Sequence, residues 1–290
     1  MFQLRKPPFV FQLRKQPPDF MDFDFKHIAV PFRMQPGLRR MENGQAHLTR
    51  LDPACALFSE KQAVAQAGKC FHSVAGFDPQ PAVNAILNHA QQLGLGLGPG
   101  KKHAGELPLS FEEDFAVLDG DTGQLTWLCV CVPSHWAPEE KIGLGLGAVH
   151  AAVADNAQLM AATPHLIQLA TGGGHWERFV WTITPSGRHD QHPARQPHTS
   201  WPEQGAPAAF AGACYLRAER QTFLPVGQGT QQAVFTIRVM LQPLMDAVRT
   251  AGQARQLHDS LASMTPEVLA YKNLTAARDP LLAWLNQSFA

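Results

Sequence analysis

Thirteen histidines are more than a 290-residue chain usually carries, and one of them, His150, has neighbours that suggest chemistry. Ile142, Leu146, Val149 and His150 fall at i, i+4, i+7 and i+8, so on a helix they share one face. That face should look inward, and it carries an imidazole. Just upstream, Trp127 to Val132 reads as a strand: Leu128, Val130 and Val132 alternate with Cys129 and Cys131, and Pro133 ends the run. A strand followed by a short helix that aims an imidazole into an apolar space is one way to hold a haem iron. A core histidine bonded to a carbonyl has the same spacing, so the pattern leaves both readings open. Gly143, Gly145 and Gly147 weaken the helix but would let a large flat group approach the backbone.

Other constellations offer less. His175 follows three glycines and opens a strand, so it either swings into a pocket or stays a loop histidine. Ser134 and His135 are neighbours in sequence, which makes no catalytic dyad without a third group. His189, His192 and His198 lie with Asp190 in a proline-rich loop; their spacing matches no structural zinc pattern, and such loops are expected to be solvated. Cys129 and Cys131 point to one side of a strand and read as buried thiols sooner than as ligands or a redox pair. Along Tyr215 to Thr222, Arg217, Glu219 and Gln221 take one face while Leu216, Ala218 and Arg220 take the other, and Arg238 interrupts an apolar strand. Arginines inside a sheet are costly unless paired, so these either meet carboxylates or hold an anionic ligand. Two glycine-rich stretches are decoys. The phosphate-loop pattern needs a glycine where Leu95 stands and Ser or Thr where Lys102 or His103 stands, and Gly143 to Ala148 follows a charged turn, not a buried strand.

The elements that must position these residues follow from composition and periodicity. Hydrophobic residues make up 45% and charged residues 17%, so a sizeable core is available. A formal net charge of zero, with a pI near 7.2, argues against a nucleic-acid binder and an electrostatic membrane anchor. No signal peptide or membrane-length apolar run is evident. Five cysteines without framework spacing read as reduced thiols, which places the protein in the cytoplasm. Residues 1–25, with FQLRK at Phe2 and again at Phe11, form an extended proline-held arm; 26–110 form a helical segment packing on the core; 111–240 are mostly β; 241–290 are helical. Within the core, a hairpin (Phe115 to Leu118, then Leu125 to Val132) precedes helical stretches ending near Leu169. Strands at Trp176–Thr184, Tyr215–Phe223 and Ala233–Met240 follow, and Leu241 to Gly252 reads as one helix. Two strands, helices, then three strands predict an α+β fold: a PAS-like antiparallel sheet that cups a ligand between one face and the inserted helices.

Trp127, Cys129, Val130, Cys131, Pro133, Ser134 and Trp136, then Lys141 and Gly143, the pair Val149-His150, the strand Leu216 to Thr222, Phe235 to Arg238, and Tyr271 to Leu274 together resemble the haem-dependent oxidative N-demethylase alpha-subunit family. The resemblance runs from Pro36-Gly37-Leu38-Arg39 to Tyr271-Lys272, and the strand Leu216 to Thr222 is its most specific piece. It departs at Ala152 and Ala154, where members often carry prolines, and at His175, where they often carry asparagine. The resemblance implies a PAS-type fold carrying haem b and oxygen-dependent removal of an N-methyl group from a small alkylamine, with release of formaldehyde. It also implies partner subunits: a flavin and iron–sulfur reductase and a folate-binding component. His150 is then the iron ligand, and His175 contacts the haem or opposes His150 across it. Arg217, Arg220 and Arg238 are candidates for the haem propionates, although alternation keeps Arg217 and Arg220 off the same face. Glu219 and Asp114, with Glu113 behind them, are candidate carboxylates for an alkylammonium. A haem-binding sensor or carrier without turnover is the alternative.

Overall fold

The computed structural model describes residues 23–34, 37–41, 48–96, 104–151, 153–203, 205–227 and 229–288. Among them seven strands form one antiparallel sheet: β1 (Arg39–Arg40), β2 (Phe71–Ser73), β3 (Glu113–Asp119), β4 (Leu125–Cys129), β5 (Trp176–Thr184), β6 (Tyr215–Pro225) and β7 (Gln232–Pro243). Their spatial order is β1-β5-β6-β7-β3-β4-β2. The long central pair β6–β7 sets the frame, with Glu219 opposite Val239 and Gln221 opposite Ile237. On β5, Arg178 lies opposite Gln221 and Thr182 opposite Arg217. Because side chains alternate along a strand, register alone assigns Arg178, Val180, Thr182, Arg217, Glu219, Gln221, Phe235, Ile237, Ala116 and Leu128 to one face. The other face takes Leu216, Ala218, Arg220, Arg238 and Glu113.

Helices cover both faces. The second face packs α2 (Gln80–Gln92) around Phe115, Val117 and Trp127. Beside α2 it also packs a C-terminal group: α5 (Pro207–Gly212), α6 (Leu244–Ala247), α7 (Ala251–Ala262), α8 (Pro266–Tyr271) and α9 (Arg278–Ser288). The first face is covered at its ends by α1 (Ala56–Gln66), and by the inserted α3 (Leu146–His150) and α4 (Ala157–Thr171). Between these covers it stays open, which is why Arg178, Val180, Thr182, Glu219 and Gln221 are only half-buried on long strands that are otherwise buried. Whatever fills that space touches the middle of the sheet.

Two stretches fold differently from their periodicity. Leu241 to Gly252 is not one helix: β7 continues to Pro243, α6 is a single turn, and a separate α7 starts after Thr250. The local capping chemistry decides this, since Thr250 accepts from the Gln253 N–H while the Gln253 side chain returns to the Thr250 backbone. Likewise the helix from Ile142 shrinks to Leu146–His150. Gly143 turns back at φ +75°, and its N–H donates to Leu125 O at 2.7 Å while Leu144 O accepts from the Leu125 N–H at 3.0 Å. The glycine segment therefore pairs with the hairpin before one helical turn can begin. Ile142, Leu146 and Val149 still pack together against the sheet.

Residues 186–203 are not simply a solvated loop. Asp190, Gln191 and His192 are buried, Glu60 accepts from the His189 and Asp190 N–H groups, and Arg195 pairs with Asp190 at 3.2 Å. Of residues 1–25, the FQLRK repeat lies outside the described residues, and Phe23 and Phe25 are buried in the C-terminal core. No helix among the described residues is long and apolar enough to cross a membrane.

Candidate functional site

The open stretch of the sheet forms the floor of a cavity of about 640 Å³, within the range that holds cofactors and drug-sized ligands. Apolar side chains make much of its wall: Leu128, Phe235 and Ile237 from the sheet, Val149 and Leu159 from the inserted helices, Phe179 and Trp181 from β5. A smaller space of about 80 Å³, lined by Leu118, Leu146, Leu166 and Phe223, adjoins it, and His150 lines both.

His150 ends the single turn of α3, and its Nδ1 lies 2.9 Å from Leu146 O. A carbonyl can only accept, so Nδ1 carries the proton and the Nε2 lone pair is left for another partner. Burial, reinforced by the positive charge of Arg178, holds the imidazole below its ordinary pKa and therefore neutral. A neutral ring oriented through a backbone carbonyl is the state in which histidine binds a metal. Asn156 fixes this end of the helix by donating to Ala151 O at 2.9 Å.

The charged groups of the wall are unevenly matched. Arg217 is buried and each of its three nitrogens has a protein acceptor: Nε donates to Ser134 Oγ at 2.8 Å, and the terminal nitrogens reach Val132 O and Arg188 O at 3.2 and 3.3 Å. Burial lowers its pKa to about 10, with Glu219 opposing. Ser134 passes the contact on by donating to Glu219 Oε1 in a short hydrogen bond, and Gln221 Nε2 donates to Glu219 Oε2 at 2.7 Å. Arg217, Ser134, Glu219 and Gln221 thus form one hydrogen-bonded row, with Glu219 and Gln221 on the cavity floor. Arg178 differs. Its Nε is fully buried without a hydrogen-bond partner, and it forms no ion pair among the described residues. Lys272 donates to Trp181 O at 2.7 Å, lies over the Phe32 and Trp181 rings, and is pulled down by burial to about 8. From sequence Arg178 has no assigned place, and Lys272 is named only as the end of the family resemblance, without a role.

The remaining expected residues sit elsewhere. Arg220 and Arg238 face away from the cavity and are ion-paired there, Arg220 with Glu177 at 2.9 Å and Arg238 with Glu112 at 2.6 Å. Propionate contacts expected from these two are therefore not made inside this cavity. His175 lies outside it as well, its ring 6.0 Å from that of His89. Asp114 is buried under α1: Oδ2 accepts the Cys131 and Val132 N–H groups at 3.0 and 2.8 Å, and Oδ1 lies 3.0 Å from the Lys61 ammonium, too oblique for a hydrogen bond. It holds the strand that leads to Ser134 and does not reach the cavity. Glu113 points to the opposite face, where burial raises its pKa to about 7 and its Oε2 accepts the Thr49 N–H at 2.9 Å. Of the three candidate carboxylates, only Glu219 shares the cavity with His150. Among the described residues no group of three or more His, Cys, Asp or Glu is placed to hold a metal ion, and in the histidine-rich loop His189 and His192 contact Glu60 and Glu139.

One wall comes from a segment with no motif. Residues 23–34 run along α7 as a strap. Gln256 Nε2 donates to Phe25 O and Ile28 O at 2.8 Å each, Ser260 Oγ donates to Ala29 O at 2.7 Å, and Ser263 Oγ accepts the Phe32 N–H at 2.8 Å. With its backbone held this way, the strap stacks His27 on Phe179 at 3.8 Å and turns Phe32, Arg33 and Met34 toward the cavity. His135 and Asn273, both at positive φ, also line the cavity. A non-glycine residue in that conformation is held there by its surroundings, and such positions cluster at functional sites.

Residues 83–282, more than half of the chain, match the family described as "Haem-dependent oxidative N-demethylase, alpha subunit-like", and the match takes in the floor, His150, Glu219 and Lys272. The chain belongs to the haem-dependent oxidative N-demethylase, alpha subunit-like family.

Proposed function

We propose that this chain is the haem-carrying subunit of an oxygen-dependent N-demethylase that acts on a small alkylamine and releases formaldehyde. The observation that carries the reading is His150: a neutral imidazole whose Nδ1–H is taken by Leu146 O and whose ring lines a large, mostly apolar cavity. The cavity fits haem b by the chemistry of its wall. On this reading His150 Nε2 would be the iron ligand, apolar floor and helix residues would meet the macrocycle, and Arg33 and Lys141, without an ion pair among the described residues, would meet the propionates. The five strands β3 to β7, with α3 and α4 inserted after the second, support a PAS-type sheet, and residues 111–240 then form the haem-binding core. Bound there, haem supplies the activation of dioxygen. In net terms one dioxygen, two electrons and two protons convert the N-methylamine into the demethylated amine, formaldehyde and water. The electrons come from a flavin and iron–sulfur partner subunit, and a folate-binding subunit takes the formaldehyde. The absence of framework cysteine spacing supports a cytoplasmic setting.

The chain's own residues have definable work. Glu219 is the carboxylate that receives an alkylammonium on the cavity floor, and the hydrogen bonds from Ser134 and Gln221 hold both of its oxygens in place. Arg217 anchors Ser134 and so acts as a positioning residue. Phe179 and Trp181 add aromatic faces on which a cationic nitrogen can rest. The strap forms one wall of the cavity and so limits its contact with bulk water. The test is a visible spectrum with pyridine haemochrome assay after adding hemin, followed by amine-dependent oxygen uptake with a reductase. One haem per chain and amine-stimulated uptake are expected. A haem-loaded protein that never consumes oxygen with any amine would make it a sensor or carrier, and failure to load haem would overturn the reading.

A further inference from the structure

The charge of the cavity wall is at odds with a simple alkylammonium. Arg33, Lys141, Arg178, Arg217 and Lys272 line it against one carboxylate, Glu219. Arg217 is accounted for by Ser134, two carbonyls and the link to Glu219. Arg33 is exposed and Lys141 half-buried, a setting suited to groups that reach toward solvent, such as haem propionates. Arg178 and Lys272 remain. Arg178 stands in mid-strand on the floor beside Gln221, its Nε buried with no acceptor among the described residues. Lys272 has one carbonyl and two aromatic rings but no carboxylate in ion-pair contact among the described residues. A buried guanidinium nitrogen with no acceptor is costly, and the chemistry that relieves it is a planar anion. A cationic amine without such an anion would enter a wall of like charge.

We propose that the amine demethylated in this cavity carries a carboxylate: an N-methylated amino acid whose ammonium meets Glu219 and whose carboxylate is held by Arg178 and Lys272. Glu219 lies two residues along β6 from Gln221, the direct cross-strand neighbour of Arg178, so the two groups of opposite charge lie on the same face of adjacent strands. That separation suits the short spacing between nitrogen and carboxylate in an α-amino acid. The inference rests on the N-demethylase reading for its chemistry, but the binding half stands on the wall alone.

Binding separates the two. N,N-dimethylglycine, dimethylamine and acetate are titrated into the haem-loaded protein by calorimetry and by the shift of the Soret band. N,N-dimethylglycine is expected to bind about ten- to hundred-fold more tightly than dimethylamine, the usual worth of a charge-assisted hydrogen bond. Arg178→Gln should erase that preference at unchanged haem stoichiometry, and Arg178→Lys should retain part of it. Should Arg178→Gln not fold, Lys272→Gln carries the same test. Equal or tighter binding of dimethylamine overturns the proposal. Loss of haem from Arg178→Gln also overturns it, by assigning the guanidinium to a propionate. If hemin never loads, the N-demethylase reading fails, and calorimetric preference of the purified protein for N,N-dimethylglycine still decides the carboxylate site.

Discussion

Replacing Asp114 by asparagine tests whether that carboxylate does chemistry or holds the fold. The side chain is almost fully buried and engaged on both sides: Oδ2 accepts two backbone N–H groups, and Oδ1 is ion-paired with the Lys61 ammonium. Asparagine has the same shape but must aim its NH₂ either at the two N–H donors or at the ammonium. Lys61 is fully buried as well and is held otherwise only by Phe111 O at 3.0 Å and Glu113 O at 2.8 Å. Burial, the largest single influence, would lower the Lys61 pKa, yet the Asp114 charge together with smaller contributions from its other neighbours outweighs it, and the pKa lies above the ordinary value. Removing one partner of such a pair leaves a buried charge uncompensated and costs about 3–5 kcal/mol. For a chain of this size that is a fall in Tm of roughly 5–8 °C. The double variant Lys61→Met with Asp114→Asn should recover part of the loss, because no buried charge is then left without its partner and the amide keeps its oxygen on the two N–H groups. A coupling of about 1 kcal/mol or more is expected from thermal and urea unfolding of the cycle. An Asp114→Asn protein that unfolds like the parent but has lost turnover would refute this reasoning and return Asp114 to the catalytic machinery.

Four further outcomes are expected. His150→Ala should fold but lose stoichiometric haem and its Soret band, with added imidazole restoring part of it; retained haem with an unchanged band would remove His150 as ligand. Glu219→Gln should load haem normally and raise KM for the amine about ten- to hundred-fold, measured by oxygen uptake, whereas unchanged KM would exclude it as the amine's partner. Arg220→Met breaks the contact with buried Glu177 and should cost about 1–3 kcal/mol of stability without changing haem stoichiometry; loss of haem would contradict its placement on the far face. Glu113 titrates at about 7 when folded against 4.5 when unfolded, so between these values the folded chain holds a proton that the unfolded chain has lost. Its contribution is complete below pH 4.5 and is lost as pH rises through about 7, a swing of about 3 kcal/mol at most. The stability difference between the parent and Glu113→Gln should trace that fall, and a flat difference would count against the burial of the acid.

Much of the framework was legible because it rests on local pattern. The alternation in Leu216 to Thr222 correctly separates Arg217 and Glu219 from Arg220, since a strand's period does not depend on its partners. His150 reaches the apolar space although most of its expected helix is absent, because Ile142, Leu146 and Val149 pack on the sheet with or without helical backbone. Arg178 was equally visible, a charge inside the strand Trp176–Thr184, but its meaning depends on register with Gln221 and on the absence of a partner, neither of which is local. Asp114 misled for the complementary reason: its partner Lys61 lies on a distant helix, so nothing nearby marked it as occupied. Lys272 enters the cavity through contacts with Trp181 and Phe32, far away in sequence. The order of two strands, helices and three strands needed only turns and periods, and the sheet follows it.

The strap on α7 has a consequence for biosynthesis. Its bonds to Gln256, Ser260 and Ser263 span about 230 residues, so the wall that carries His27, Phe32 and Arg33 forms only after α7 has left the ribosome. The hairpin, α3 and the three long strands can be in place before then, with the imidazole of His150 already oriented. Until α7 docks, the floor is open on that side. A ligand can therefore reach the floor from that side before the strap docks. Closing so long a loop costs little more entropy than closing one half its length, so assembly in this order is a matter of timing and not of stability.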